Sequence, residues 1–479
     1  MKLKKIIFFL GCLCSGTLLY AQDQERPNIL FIAFDDLRPQ IGVYGEPEPL
    51  TPNIDALANQ AVQFNRAYVN YPLCSPSRAA MMTGVRFNNK TWIDGKKFKF
   101  QEQIQVQKTW PNQLKSNGYW TATSGKLYHG NVPTSEKESW DIPGKYWKGK
   151  YHDGGEKIES KIVEIGGRAD QIKTYYEKDS GPASLMYAAV DGPDELLNDG
   201  KTARDVISFI KEKRDKSKPF MISCGFARPH MPWVAPKKYF DMYPQDAGKL
   251  AYVPENADRD LTKDPYQGRK GSEIWNEGVD DETAQKLIRG YMASTTYADA
   301  QMGRVIQALK EEGLYDNTII VVWGDHGYHL TDHGKWRKNT GYHVVLRCPL
   351  IIKLPHSKEG KQVGNIVQNI DIYPTIMELA GVTLPEEIKL HGNSLVPLLT
   401  QKNPKWENIT FTCAKDSYGV VTDRYRFTIT PDGKRYLYDL KKDPHEWENL
   451  AKDKKYKQLM AEYEEKMKSV VWNKPAASL

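Results

Sequence analysis

Short apolar runs rich in β-branched and aromatic residues alternate along the chain with longer stretches of helical periodicity. Ile29–Phe34, Trp120–Ala122, Phe220–Cys224, Ile319–Trp323 and Leu350–Leu354 read as buried strands, and Ile54–Tyr68, Thr202–Lys213 and Ala284–Glu312 as helices. That alternation predicts an α/β fold, a large mostly parallel sheet sandwiched by helices. Near residue 385 the texture changes. Thr410–Ala414, Gly419–Thr422, Arg426–Thr430 and Arg435–Asp439 read as strands joined by turns such as Pro431-Asp432-Gly433, closed by a helix over Lys455–Val470. This predicts a smaller C-terminal antiparallel sheet plus helix subdomain. The expected division is 1–21 as an export signal, 22–385 as the main domain and 386–479 as the C-terminal subdomain.

The export signal rests on Lys2, Lys4 and Lys5, the apolar run Ile6–Leu19 and the small residue Ala21. The run is shorter than the ~20 residues that cross a bilayer. A soluble protein of the periplasm or exterior of a bacterial cell is therefore expected, without stable membrane insertion. Across 479 residues, 40% hydrophobic and 27% charged is the composition of an ordinary globular protein and excludes disordered or polytopic membrane classes. The net charge of +7 falls to +4 without the three lysines of the signal, which is no nucleic-acid footprint. Two of the six cysteines, Cys12 and Cys14, also leave with the signal. Cys74, Cys224, Cys348 and Cys413 have neither the density of a disulfide framework nor zinc-ligand spacing. Cys224, within an apolar run, reads as a small buried hydrophobe.

Open parallel sheets bind ligands at the carboxyl ends of their strands. Four of the predicted strands end in reactive side chains: Ile29–Phe34 in Asp35-Asp36, Trp120–Ala122 in Lys126 and His129, Phe220–Cys224 in Arg228 and His230, and Ile319–Trp323 in Asp325-His326. Three carboxylates brought together require a cation or shared protons. Oxygen ligation suits Ca2+ or Mg2+, while an imidazole leaves Mn2+ or Zn2+ open. The basic set Arg78, Lys126, His129, His230 and Lys338 supplies donors for a tetrahedral oxyanion. A cation beside such a cage fits sulfuryl or phosphoryl transfer. Cys74 opens Cys74-Ser-Pro76-Ser77-Arg78, where Pro76 suits a first helical position and sets the cysteine beside the positive end of a helix.

With Cys74-x-Pro76-Ser77-Arg78 followed by Thr83-Gly84, the sequence resembles the type I sulfatases of the alkaline phosphatase superfamily. The resemblance continues through Arg26-Pro-Asn-Ile-Leu, Asp35-Asp36, Thr51-Pro-Asn-Ile-Asp-Ala-Leu-Ala, Gly125-Lys126, Gly324-Asp325-His326-Gly327 and Leu437-Tyr-Asp-Leu-Lys-Lys-Asp443-Pro444. Asp36-Leu-Arg38-Pro, Gly125-Lys126-Leu-Tyr-His129, Arg228-Pro-His230-Met-Pro and the Asp-His pair resemble the iduronate-2-sulfatase branch.

The resemblance implies that Cys74 is oxidised to formylglycine by a separate maturation enzyme and that its hydrate is the nucleophile. It implies one cation, Ca2+ ahead of Mg2+, held by Asp35, Asp36, Cys74, Asp325 and His326. Arg78 would hold the hydrate, Lys126 and Lys338 would grip sulfate oxygens, His129 would contact the hydrate, and His230 would stand on the leaving-group side. His333 and His329, near Asp325 in the chain, are expected near the substrate. The implied activity is release of sulfate from a sulfated oligosaccharide, the 2-O-sulfate of a uronic acid in glycosaminoglycan fragments. Other sulfate positions, a phosphate or phosphonate ester hydrolase, and a silent sulfated-glycan-binding protein are the alternatives. Met82-Thr83-Gly84-Val85-Arg86 departs from the family's Leu-Thr-Gly-Arg. In the loop region Asn131–Asp199, Trp140, Tyr146, Trp147 and Tyr151 are candidates for stacking on sugar faces. Oligomeric state leaves no trace in the sequence.

Overall fold

The structure is a computed structural model and describes residues 26–86, 108–146, 158–177, 184–266, 274–415, 417–468 and 470. The export signal, Trp147 and Tyr151 lie outside the described residues. The main sheet contains β1 (Asn28–Asp35), β2 (Val62–Tyr68), β3 (Trp120–Gly125), β4 (Ile142–Pro143), β7 (Phe220–Pro229), β9 (Thr318–Gly324), β12 (Arg347–Cys348), β13 (Leu350–Lys353) and β14 (Lys361–Gln368). Their order is β12-β2-β13-β9-β1-β7-β3-β4, with β14 beside β2. The central run β9-β1-β7-β3-β4 is parallel, and β13 joins it antiparallel to both β9 and β2.

β1 shows why the strand sequences are continuously apolar. Its alternate residues Ile29, Phe31 and Ala33 enter one buried cluster, while Leu30, Ile32 and Phe34 enter another on the opposite face. A strand covered on both faces has no polar side to show. The long helix Asp281–Glu311 covers one face. It starts at Asp280, whose carboxylate accepts the Thr283 amide at 2.8 Å and so satisfies a free helix-end N–H.

Two smaller sheets flank the main one: β5 (Ile162–Gly167), β6 (Met186–Val190) and β8 (Trp233–Pro236) form a three-stranded sheet, and β10 (His329–Leu330) pairs with β11 (Trp336–Arg337). The C-terminal sheet is antiparallel in sequence order, β15 (Ile409–Ala414), β16 (Ser417–Thr422), β17 (Tyr425–Ile429) and β18 (Arg435–Asp439). The helix Lys457–Met467 closes its apolar face through Met460, Tyr463 and Met467. Tyr71 joins that cluster, and the Asn70 side chain donates to the Phe411 carbonyl at 2.7 Å, so the C-terminal sheet braces the segment leading into Cys74.

Two stretches differ from the sequence reading: Asn131–Asp199, read as a loop region, carries β4, β5 and β6, and one expected helix is cut short. The helix expected over Ile54–Tyr68 ends at Ala58, and Val62–Tyr68 is the strand β2. Val62, Phe64, Ala67 and Tyr68 are buried there between β13 and β14, so sheet partners distant in the chain override a helical reading.

Candidate active site

The side chains read from four separate strand ends converge on one place. β1 ends in Asp35, and Asp36 follows with φ +65°, a left-handed conformation uncommon outside glycine. Tyr291, in the middle of the long helix, secures that turn: its hydroxyl donates to the Asp36 carbonyl at 2.9 Å and accepts the Arg38 amide at 3.0 Å. Asp325 follows β9, and its Oδ1 accepts the Asp36 amide at 3.0 Å. All three carboxylates are fully buried.

Lys126 enters from β3 through Gly125, which has φ +77° and where a Cβ would lie 2.0 Å from the Gly225 carbonyl. No side chain fits there, so the backbone turns Lys126 inward to pair with Asp35. Lys338 pairs with Asp36. Arg78, wholly buried, donates to Asp325 Oδ2 at 2.9 Å and reaches Asp35 Oδ1 at 3.5 Å. Its remaining N–H groups bond the carbonyls of Lys126, Leu127 and Phe34. Three cationic side chains therefore stand against three carboxylates. Burial pushes the Asp35 carboxyl upward, but Lys126, His230 and Arg78 together hold it well below the ordinary carboxylate range. Asp36 is raised, by burial against the opposing charge of Lys338.

Cys74 is the first residue of the helix Cys74–Thr83, so Pro76 stands third rather than first. No side chain caps this helix start, which leaves its free N–H groups and positive dipole end at the cysteine. The Sγ lies 3.4 Å from His326 Nε2 and 3.9 Å from Asp36 Oδ1. Burial, followed by the charge of Asp35, holds the thiol well above its ordinary range. The helix is tied down from behind, because Ser77 donates its hydroxyl to the Asp325 carbonyl and Asn369 bonds the Ser77 carbonyl at 3.0 Å.

His326 and His230 share one arrangement. His326 Nδ1 faces the Gly327 carbonyl at 2.8 Å and His230 Nδ1 faces the Met231 carbonyl at 2.5 Å. A carbonyl only accepts, so both Nδ1 atoms carry hydrogen and both Nε2 atoms are left for the site. His326 Nε2 lies 3.5 Å from Asp36 and 3.6 Å from Asp325, and His230 Nε2 lies 3.9 Å from Asp36. His129 is exposed at the rim; partial burial and the charge of Lys126 lower its imidazole to about 4.

Whether these residues suit a cation is tested by two carboxylate oxygens that lack a hydrogen bond and have only charged groups at 3.5 Å or more beside them. Asp35 Oδ1 and Asp36 Oδ2 are buried without a hydrogen-bond partner. Ligand atoms of Asp35, Asp36, Cys74 and His230 lie within 4.8 Å of one another, as do those of Cys74, Asp325 and His326. An imidazole whose other nitrogen is bonded to a carbonyl is the usual arrangement at a metal. The donor set fits a divalent cation.

Other expected residues have partners outside this cluster. The His333 ring is sandwiched between Tyr342 at 4.0 Å and Trp447 at 4.4 Å, with Nε2 on the His445 carbonyl at 2.9 Å. His329 is buried and bonds Thr340. Trp140 is buried and donates to the Tyr128 hydroxyl at 3.0 Å, so it packs its own loop. Cys224, Cys348 and Cys413 are buried, and no disulfide joins them among the described residues. Two residues at the site are not read from the sequence, Tyr291 and Asp199. The Asp199 carboxylate accepts the amides of Ala227 and Arg228 at 2.8 and 2.9 Å, fixing the end of β7 just before His230. Within the chain Asp199 looks only like an acid near a helix start.

The Sulfatase family model matches residues 27–382, and that of the N-sulphoglucosamine sulphohydrolase C-terminal region matches residues 331–473. The chain belongs to the sulfatase family, within the alkaline phosphatase-like superfamily. As a member it is a sulfuric ester hydrolase by class. A sulfatase of Formosa agariphila is 31% identical over 478 residues, covering 94% of this chain and 88% of that protein. Iduronate 2-sulfatase of Mus musculus is 28% identical, covering 78% of this chain and 73% of that protein. The fold is shared with the crystal structure of phosphonate monoester hydrolase of Agrobacterium radiobacter, with a TM-score of 0.73 at 22% identity over 93% of this chain and 95% of that one. No helix among the described residues is long and apolar enough to cross a membrane.

Proposed function

We propose that this protein hydrolyses sulfate esters of sulfated saccharides, specifically the 2-O-sulfate of a uronic acid residue. The observation that carries the reaction class is the buried cluster in which Cys74, at a helix N-terminus, meets three carboxylates and His326 while Arg78, Lys126 and Lys338 stand among them. The uronate assignment is supported by the likeness to iduronate 2-sulfatase and by the Asp325-His326 and Arg228-Pro-His230-Met-Pro motifs.

Asp35, Asp36, Asp325 and His326 would hold one divalent cation, Ca2+ by its oxygen-rich ligands. Oxidation of Cys74 to a hydrated aldehyde would supply an oxygen nucleophile, the cation polarising it, with a second hydroxyl through which sulfate is later released. Arg78 holds the carboxylate frame around residue 74 and keeps positive charge where the ester's oxygens gather negative charge. Lys126 and Lys338 each spend one N–H on a carboxylate and offer the others to sulfate oxygens. His230, protonated at Nε2 and fixed by its Nδ1 bond, gives a proton to the departing sugar oxygen. His129, held neutral at the rim, accepts a proton in the second half of the cycle. The signal at residues 1–21 exports the protein, and Ala21 ends it.

The test is release of inorganic sulfate from 2-O-, 6-O- and N-sulfated unsaturated uronate disaccharides, with matched phosphate and phosphonate esters alongside. Selective release from the 2-O ester is expected. Selective release from another sulfated position discards the uronate assignment, and preference for the phosphonate ester replaces the sulfate reading.

A further inference from the structure

β4 pairs with β3 in parallel, Ala122 opposite Ile142 and Thr123 opposite Pro143. The Gly125 amide then donates to the Lys145 carbonyl at 3.0 Å. Continuing this register sets Tyr146 level with Lys126 at the carboxyl edge of the sheet. The two chains come this close because residue 144 is glycine, where a Cβ would lie 1.6 Å from the Thr123 carbonyl. Ladder pairing thus delivers Tyr146 to the edge where Lys126 turns into the site.

The side chain is half-buried there. Burial raises its phenol, and the charges acting on it are, in order, Lys126, Asp35, Arg228 and Arg78. Of the four aromatic residues read as sugar-facing, Trp140 is buried in its own loop, and Tyr146 is the described one that the ladder sets beside Lys126.

We propose that Tyr146 is a specificity-determining residue that contacts the sugar bearing the scissile sulfate and seats it over Lys126. The inference rests on the sulfatase reading above and adds to it the group that holds the saccharide rather than the anion. A neutral phenol is suited to hold a sugar, because the ring gives contact area with only two side-chain torsions to freeze and the hydroxyl donates to a carboxylate or hydroxyl oxygen of the sugar.

The experiment compares wild type, Tyr146→Phe and Tyr146→Ala in two measurements. One is kcat/KM on whichever disaccharide of the panel the wild type hydrolyses fastest, and the other is the inhibition constant of inorganic sulfate, which engages the anion site without a sugar. Loss of the ring and hydroxyl is expected to lower kcat/KM about 10–100-fold, and loss of the hydroxyl alone about 3–10-fold. The sulfate inhibition constant should stay within about threefold in both variants. Parallel changes in the two measurements, or unchanged disaccharide turnover by Tyr146→Ala, overturn the proposal. A wild-type protein that releases no sulfate from any member of the panel instead removes the sulfatase reading, and the proposal with it, before any variant is compared.

Discussion

Replacing Tyr291 with phenylalanine removes one oxygen atom from a ring that is 1% exposed and tests how Asp36 is held. The ring contacts survive, with Tyr328 stacked at 6.1 Å and Trp233 edge-on at 6.1 Å. What disappears is the hydroxyl that bridges the Asp36 carbonyl and the Arg38 amide around a left-handed residue. Each backbone group stranded in the interior costs about 1–3 kcal/mol. For the two groups a loss of about 2–6 kcal/mol follows, part of it falling on the turn that aims the Asp36 carboxylate. The assay is urea denaturation with and without calcium, followed by calorimetric titration of calcium into the folded variant. We expect a lower midpoint and calcium binding weakened by about 3–30-fold, since each 1.4 kcal/mol of misaimed ligand is tenfold. A variant as stable as wild type that binds calcium equally well refutes the idea that Tyr291 holds this turn.

Other outcomes follow from the same geometry. Arg78→Met leaves Asp325 and Asp35 buried with less compensation and is expected to cost about 3–5 kcal/mol in denaturant melts, whereas a near-neutral result contradicts the three-against-three charge balance. Chelation should abolish turnover and lower the melting temperature, and calcium at a hundredfold excess over its Kd should restore about 2.7 kcal/mol. Asp371 is buried and its carboxyl is raised to about 7, chiefly by burial. A raised acid binds its proton more tightly in the folded state, so its contribution to stability falls as pH climbs from the unfolded value near 4 to about 7. The stability advantage of wild type over Asp371→Asn should therefore shrink by roughly 2–3 kcal/mol between pH 5 and pH 8, read from paired melts, and a pH-independent difference contradicts it.

The strand ends were legible because a parallel strand buried on both faces is apolar to its last residue, so Asp35-Asp36 and Asp325-His326 stand out where it stops. The C-terminal strands were legible from their turns: the four expected segments lie within a residue or two of β15 to β18. Val62–Tyr68 was not, since its strand character comes from β13 and β14, paired from about 300 residues away in the chain. Tyr291 was hidden for a similar reason: it sits on an ordinary helix, and its partner Asp36 is 255 residues distant. Chain proximity does not reveal the partners of His333, which follows Asp325 by eight residues and stacks on Tyr342 and Trp447. Tyr146 shows the middle case, a residue whose type was visible and whose place depended on a two-residue strand, β4.

On the proposed function, Cys74 is the modified residue through which this chain hydrolyses a sulfate ester. Peptide mass spectrometry across Cys74 of protein from its native host, on the same sample assayed for sulfate release from the 2-O-sulfated disaccharide, tests it most directly. An aldehyde at residue 74 in the active material is expected, with no turnover by Cys74→Ser despite an unchanged fold. An unmodified thiol in protein that releases sulfate at full rate, or wild-type turnover by Cys74→Ser, would contradict it.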